Sequence, residues 1–138
     1  MCQPENTVDQ QRPPDVVLLS ADRRTRAPLR AQLIEDGFEV IGTETWQTLR
    51  THLRPGAKPG MAIVDLQGLP NPIEVLDGLR VLMTPGRVLV LTALGTVPPD
   101  EIAQAGFKVL KRPASIEEVV AAARSALAPA AEHRPESE

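Results

Sequence analysis

The stretch Met61-Ala62-Ile63-Val64-Asp65 sets four apolar side chains in succession and closes them with a carboxylate. Neighbouring residues of a strand point to opposite faces, so this strand is apolar on both sides and must be covered on both. A parallel sheet sandwiched between helices provides that cover, whereas a half-solvated antiparallel strand alternates apolar and polar residues. The same pattern recurs outward in both directions. Val16-Val17-Leu18-Leu19 and a short strand from Phe38 to Ile41 lie upstream; Val88-Leu89-Val90-Leu91 and the pair Val109-Leu110 lie downstream.

Between these runs the apolar spacing turns helical. Leu29, Leu33 and Ile34 form one face stopped by Gly37, and because Pro28 is harmless only in a first turn, the helix is predicted to start near Thr25. Trp46, Leu49 and Leu53 share a second face ended by Pro55-Gly56, and Ile73, Leu76, Leu79 and Met83 share a third. A short helix is predicted from Pro98-Pro99. The last one opens on a capping box, Ser115 with Glu118, and carries Ile116, Val119, Val120, Ala123 and Leu127 on its apolar face. Five such units predict an α/β fold, a single doubly wound five-stranded parallel sheet of order 2-1-3-4-5 with flavodoxin-like architecture. The folded part is expected at 15–127. The Pro-, Ala- and Glu-bearing tails, 1–14 and 128–138, are expected to be flexible, since neither buries enough surface to offset its ordering entropy.

Composition narrows the functions. A net charge of −3 argues against coating nucleic acid or an anionic membrane, and the cluster Arg23, Arg24, Arg26 and Arg30 then reads as a solvated helix face. The one cysteine, Cys2, allows no intrachain disulfide, and with only His52 and His133 a Cys/His metal cluster is not expected. No apolar run reaches the roughly 18 residues that span a bilayer, and the N-terminus is polar, so a cytoplasmic location is expected.

In a doubly wound sheet, chemistry gathers beyond the carboxyl ends of the strands. Here those ends are Ser20-Ala21-Asp22, Asp65, Thr92-Ala93 and Lys111-Arg112-Pro113. A carboxylate, a hydroxyl and a cation on one rim suit phosphoryl handling: Asp65 as acceptor, Thr92 as hydroxyl donor, Lys111 or Arg112 as counter-charge, with a divalent cation in attendance.

These motifs resemble the response-regulator receiver family over about Asp15 to Leu127. Met61 to Asp65 is similar to the receiver strand that ends in the phosphoacceptor, Val88 to Ala93 to the strand ending in Thr-Ala, and Leu110 to Pro113 to the Lys-Pro segment with its cis peptide. The resemblance implies Mg²⁺ at Asp65, a histidine kinase or output protein as partner, and a partner surface at about 97–127. Several positions depart from it. Ser20 and Ala21 stand where receivers carry two metal-binding acids, leaving Asp22, one position on, as a weak candidate ligand. The loop after Asp65, Leu66-Gln67-Gly68-Leu69-Pro70, is one residue longer before its proline, which shifts the backbone near Gln67 that would serve the metal. Arg112 replaces the lysine, with Lys111 as the shifted alternative, and Val109 stands where receivers place a switching aromatic ring.

The sequence therefore predicts a stand-alone, non-enzymatic receiver-like signalling domain with weakened Mg²⁺ binding that acts through protein contacts, a homodimer being one such arrangement. Two alternatives stay open. One is a competent receiver phosphorylated on Asp65; the other is a flavodoxin-like binder of a phosphate-bearing small molecule on the Ser20 to Thr25 loop.

Overall fold

The computed structural model describes residues 13–93 and 95–127; most of the expected tails, with Cys2 and His133, lies outside the described residues. Strands β1 (Val16–Leu19), β2 (Val40–Thr43), β3 (Met61–Asp65), β4 (Val88–Leu91) and β5 (Lys108–Leu110) alternate with helices α1 (Arg23–Glu35), α2 (Trp46–Arg50), α3 (Pro72–Leu82), α4 (Pro99–Gln104) and α5 (Ile116–Leu127). The sheet is parallel throughout, in the order β2-β1-β3-β4-β5. No helix among the described residues is long and apolar enough to cross a membrane.

Alternation along the strands divides the core into two layers. Val17, Leu19, Ala62, Val64 and Val90 pack with Trp46, Leu49, Leu79 and Ile102, so α2, α3 and α4 cover one face. Val16, Leu18, Met61, Ile63 and Leu89 pack with Leu29, Leu33, Val119 and Ala123, so α1 and α5 cover the other. Each of the valine, leucine, isoleucine and methionine side chains among them, once buried, contributes about 1.5–3 kcal/mol. The central strands, with no accessible surface over Val16–Leu19 and Met61–Val64, are where that contribution concentrates. Arg124 of α5 also pairs with Asp36 at the end of α1, tying together the two helices of the second layer.

Four details correct the sequence reading. Helix α1 starts at Arg23 rather than near Thr25, because Asp22 caps it through Arg24 N at 3.0 Å, and Pro28 falls inside the helix on an exposed position. Strand β2 runs from Val40 to Thr43 rather than Phe38 to Ile41. Gly37, at φ 99, turns the chain, and the Glu39 carbonyl accepts from Asp15 N and Val16 N before regular pairing begins. Ile73, expected in the core, is 64% exposed, and Val75 takes the buried place on α3. Ile116 sits at the rim of the α5 face and Leu127 is half-buried. The capping box itself is formed: Glu118 N donates to Ser115 Oγ, and Ser115 N to Glu118 Oε1.

Candidate functional site

Register decides which side chains meet. Leu19 stands opposite Val64, Asp65 opposite Leu91, and Leu91 opposite Leu110, so the residues that follow β1, β4 and β5 emerge at one rim beside Asp65. Asp65 has no accessible surface. Its Oδ1 accepts from Gln67 N at 3.0 Å, and its Oδ2 accepts from Arg112 Nη2 at 3.1 Å and Ser20 Oγ at 3.4 Å. Gln67 closes the loop by accepting Arg112 Nε on its side-chain oxygen at 2.8 Å. One residue thus holds both halves of the ion pair. Burial pushes the Asp65 carboxyl above the usual aspartate range, outweighing the Gln67 N–H, the Arg112 charge and the Ser20 hydroxyl, which all pull it down.

The remaining sequence candidates divide between this network and the surface. Thr92 is buried at the rim, where its hydroxyl accepts Arg112 N at 3.1 Å and so fixes the backbone that carries the guanidinium; it makes no hydrogen bond to Asp65. The Arg112-Pro113 peptide is cis. Lys111 is exposed and makes no contact with Asp65, so the shifted alternative is corrected in favour of Arg112: successive residues leaving a strand point opposite ways. Asp22 is exposed and spends its carboxylate on Arg24 N and on the Thr25 hydroxyl; it makes no hydrogen bond to Asp65, though its charge adds to the upward push on that carboxyl. Ser20 is fully buried, and its carbonyl accepts Arg26 Nη1 at 2.6 Å. Arg30 in turn donates to the Val40 carbonyl, so two of the four arginines of α1 are bound to backbone.

Sequence reasoning placed Gln67 near the rim but missed its clamping role. The available signal was its position two residues after an aspartate at a strand end, where its backbone N–H can return to the carboxylate. For Asp22 the expected result is specific: Asp22→Ala should lower stability by about 1 kcal/mol, the usual cost of losing an N-cap. Urea denaturation measures it, and the amide resonances of Asp65 and Gln67 should stay in place.

The rim opens into a groove of about 640 Å³ bordered by Gln67, Ala93, Thr96, Arg112 and Pro113. Arg112 stands between this groove and Asp65 and is 24% exposed, whereas the carboxylate is wholly covered. Among the described residues, no three His, Cys, Asp or Glu side chains converge as a metal site would require.

No protein-family model matches the sequence, and no curated protein matches it either. Solved structures do. Full-length FixJ from B. japonicum is 27% identical with a TM-score of 0.67 over 85% of this chain, which spans 60% of FixJ. A response regulator receiver domain protein from Clostridium thermocellum is 18% identical, with a TM-score of 0.67 over 85% of this chain and 96% of its own. This chain has the fold of response-regulator receiver domains. A neighbour from Rhodopirellula baltica named as an adenylate cyclase aligns with the same fold at a TM-score of 0.68, 19% identity, and coverage of 88% of this chain and 93% of that one. The likeness therefore extends to proteins of differing names.

Proposed function

We propose that this receiver domain transmits signals through protein contacts, with Arg112 serving as a built-in counter-charge to Asp65 in place of a tightly held Mg²⁺. The observation that carries this reading is the closed Asp65-Arg112-Gln67 network over a fully buried carboxylate. The donor set does not fit a hard divalent cation. Such ions take about six oxygen ligands with carboxylates among them. Here Asp65 is the one buried carboxylate at the rim among the described residues, a guanidinium stands 3.1 Å from it, Ser20 and Ala21 carry no charge, and Asp22 is committed to capping. Arginine is also no substitute for an ammonium: its planar fork bridges Asp65 and Gln67, a geometry lysine does not reproduce.

The partner surface in this reading is 97–127, and a histidine kinase or output protein is the class of partner. Competent phosphorylation of Asp65 is the second reading, supported by the position of Asp65 at the end of β3. Incubation with acetyl phosphate, or with beryllium fluoride, each in millimolar Mg²⁺, separates them. We expect no gain in intact mass and no saturable amide shift around Asp65. A mass increase that Asp65→Asn abolishes would overturn the proposal in favour of the second reading.

A further inference from the structure

Helix α3 carries more apolar surface than the core uses. Val75, Leu76 and Leu79 face inward, yet Ile73 is 64% and Val81 82% exposed, the two most exposed large hydrophobics among the described residues. Ile73, Asp77, Arg80 and Val81 are spaced i, i+4, i+7 and i+8, so they form one stripe along the outer side of the helix. Beside that stripe, α4 is only six residues long, begun by Pro98-Pro99 and ended before Gly106. A groove of about 600 Å³ separates the two helices, lined by the buried side chains of Leu76, Ile102 and Phe107. It continues toward Val81 and Pro85 past Asp77 and Arg80.

The charges on its walls say what it suits. Asp77, Arg80 and Glu101 are exposed, and none of their side chains makes a hydrogen bond or ion pair with a described residue. Two acids and one base around an apolar trough give the walls a net negative charge. The 11 residues of α3 run for about 16 Å, the length of three turns of a docked helix rather than of a small ligand.

We infer that the α3/α4 groove is a docking site for an amphipathic segment of a partner protein, with an apolar anchor entering between Leu76 and Ile102 and flanking lysines or arginines facing Asp77 and Glu101. The site lies apart from Asp65 and shares the α4 wall and Phe107 with the 97–127 surface. It therefore stands whichever state Asp65 adopts.

Random dodecapeptides displayed on phage and selected on the full chain provide the test. The expected binders carry an apolar residue flanked by Lys or Arg, lose at least about ten-fold in affinity to the Ile73→Glu and Asp77→Lys variants, and weaken as salt is raised. Both positions are exposed, so circular dichroism and melting temperature should match the parent chain. Selection of acidic binders, absence of enrichment, or affinity insensitive to both variants would overturn the inference. Binders sensitive to Lys108→Glu on β5 but not to the α3 variants would also overturn it, while leaving the 97–127 surface standing. Light scattering that reveals a dimer dissolved by Ile73→Glu would make a second copy the occupant and overturn it likewise.

Discussion

Arg112→Ala is expected to destabilise the fold by about 2–3 kcal/mol at pH 7, since it strands the Asp65 charge with no accessible surface to solvate it. Breaking a fully buried pair costs about 3–5 kcal/mol. The lower figure applies here because Arg112 is 24% exposed, so water follows where the guanidinium leaves. The pH dependence distinguishes charge from packing. The folded state raises the Asp65 pKa, so the stability linked to that shift is fully present below the ordinary aspartate value and is lost as pH rises through the raised one. At neutral pH the ionised carboxylate is a liability that Arg112 offsets in part. Removing Arg112 raises the Asp65 pKa further, and the deficit of the variant should shrink as acid protonates Asp65. Asp65→Asn should show the converse pH dependence, its stability relative to the parent being highest at neutral pH and falling under acid. Guanidinium melts at neutral and acid pH measure both, with Arg112→Met retaining the alkyl stem as a control. An Arg112→Ala deficit equal at the two pH values would mean that the side chain acts through packing alone.

The second large effect is placed far from the rim. Gly78→Ala adds a Cβ 2.4 Å from Trp46 Cζ2 and 3.0 Å from Cη2, closer than real side-chain contacts come. Alanine gains about 1 kcal/mol of helix propensity over glycine. Against that, Trp46 is 8% exposed within the first core layer and cannot swing outward without opening it. Overpacking of this kind costs about 1–3 kcal/mol. With the whole of α2 levered from α3, we expect the upper end to prevail and leave a net loss of about 2 kcal/mol. Combining Gly78→Ala with Trp46→Leu should cost less than the sum of the two single changes, because the smaller side chain vacates the position the methyl enters. Strict additivity would mean that the indole and the glycine do not meet in solution.

How far these features could be read from the sequence depended on what each residue had to satisfy. Strands β1, β3 and β4 were legible because burial on both faces leaves an uninterrupted apolar run, and the strand order followed from right-handed crossovers. Edge strand β2 was legible as a strand but two residues too early, since Gly42 and Thr43 carry no apolar signature and the register is set by Glu39 accepting from the start of β1. The start of α1 lies two residues before the position Pro28 suggests, because Asp22 supplies the cap. Ile73 followed helical spacing, yet it lies in the first turn of α3, where the stripe swings away from the sheet. At the rim, the meeting of Asp65, Thr92 and the 111–112 pair was foreseeable from strand ends alone. Which of the two cations turns inward was not, because that depends on how the chain leaves β5. The clamp through Gln67 was hidden for a similar reason: it needs a loop that returns its backbone to one carboxylate oxygen while its amide reaches the arginine.

The lone indole of the chain lies wholly in the layer formed by α2, α3 and α4, against Gly78 and with Arg50 over its ring 5.9 Å from the centroid. Emission spectroscopy consequently watches half of the molecule. Loosening of α1 or α5 from the opposite side of the sheet is optically silent at that wavelength, so a melting curve followed by tryptophan alone would look cooperative even where those two helices detach first. Recording far-ultraviolet ellipticity alongside it gives the second layer a signal of its own.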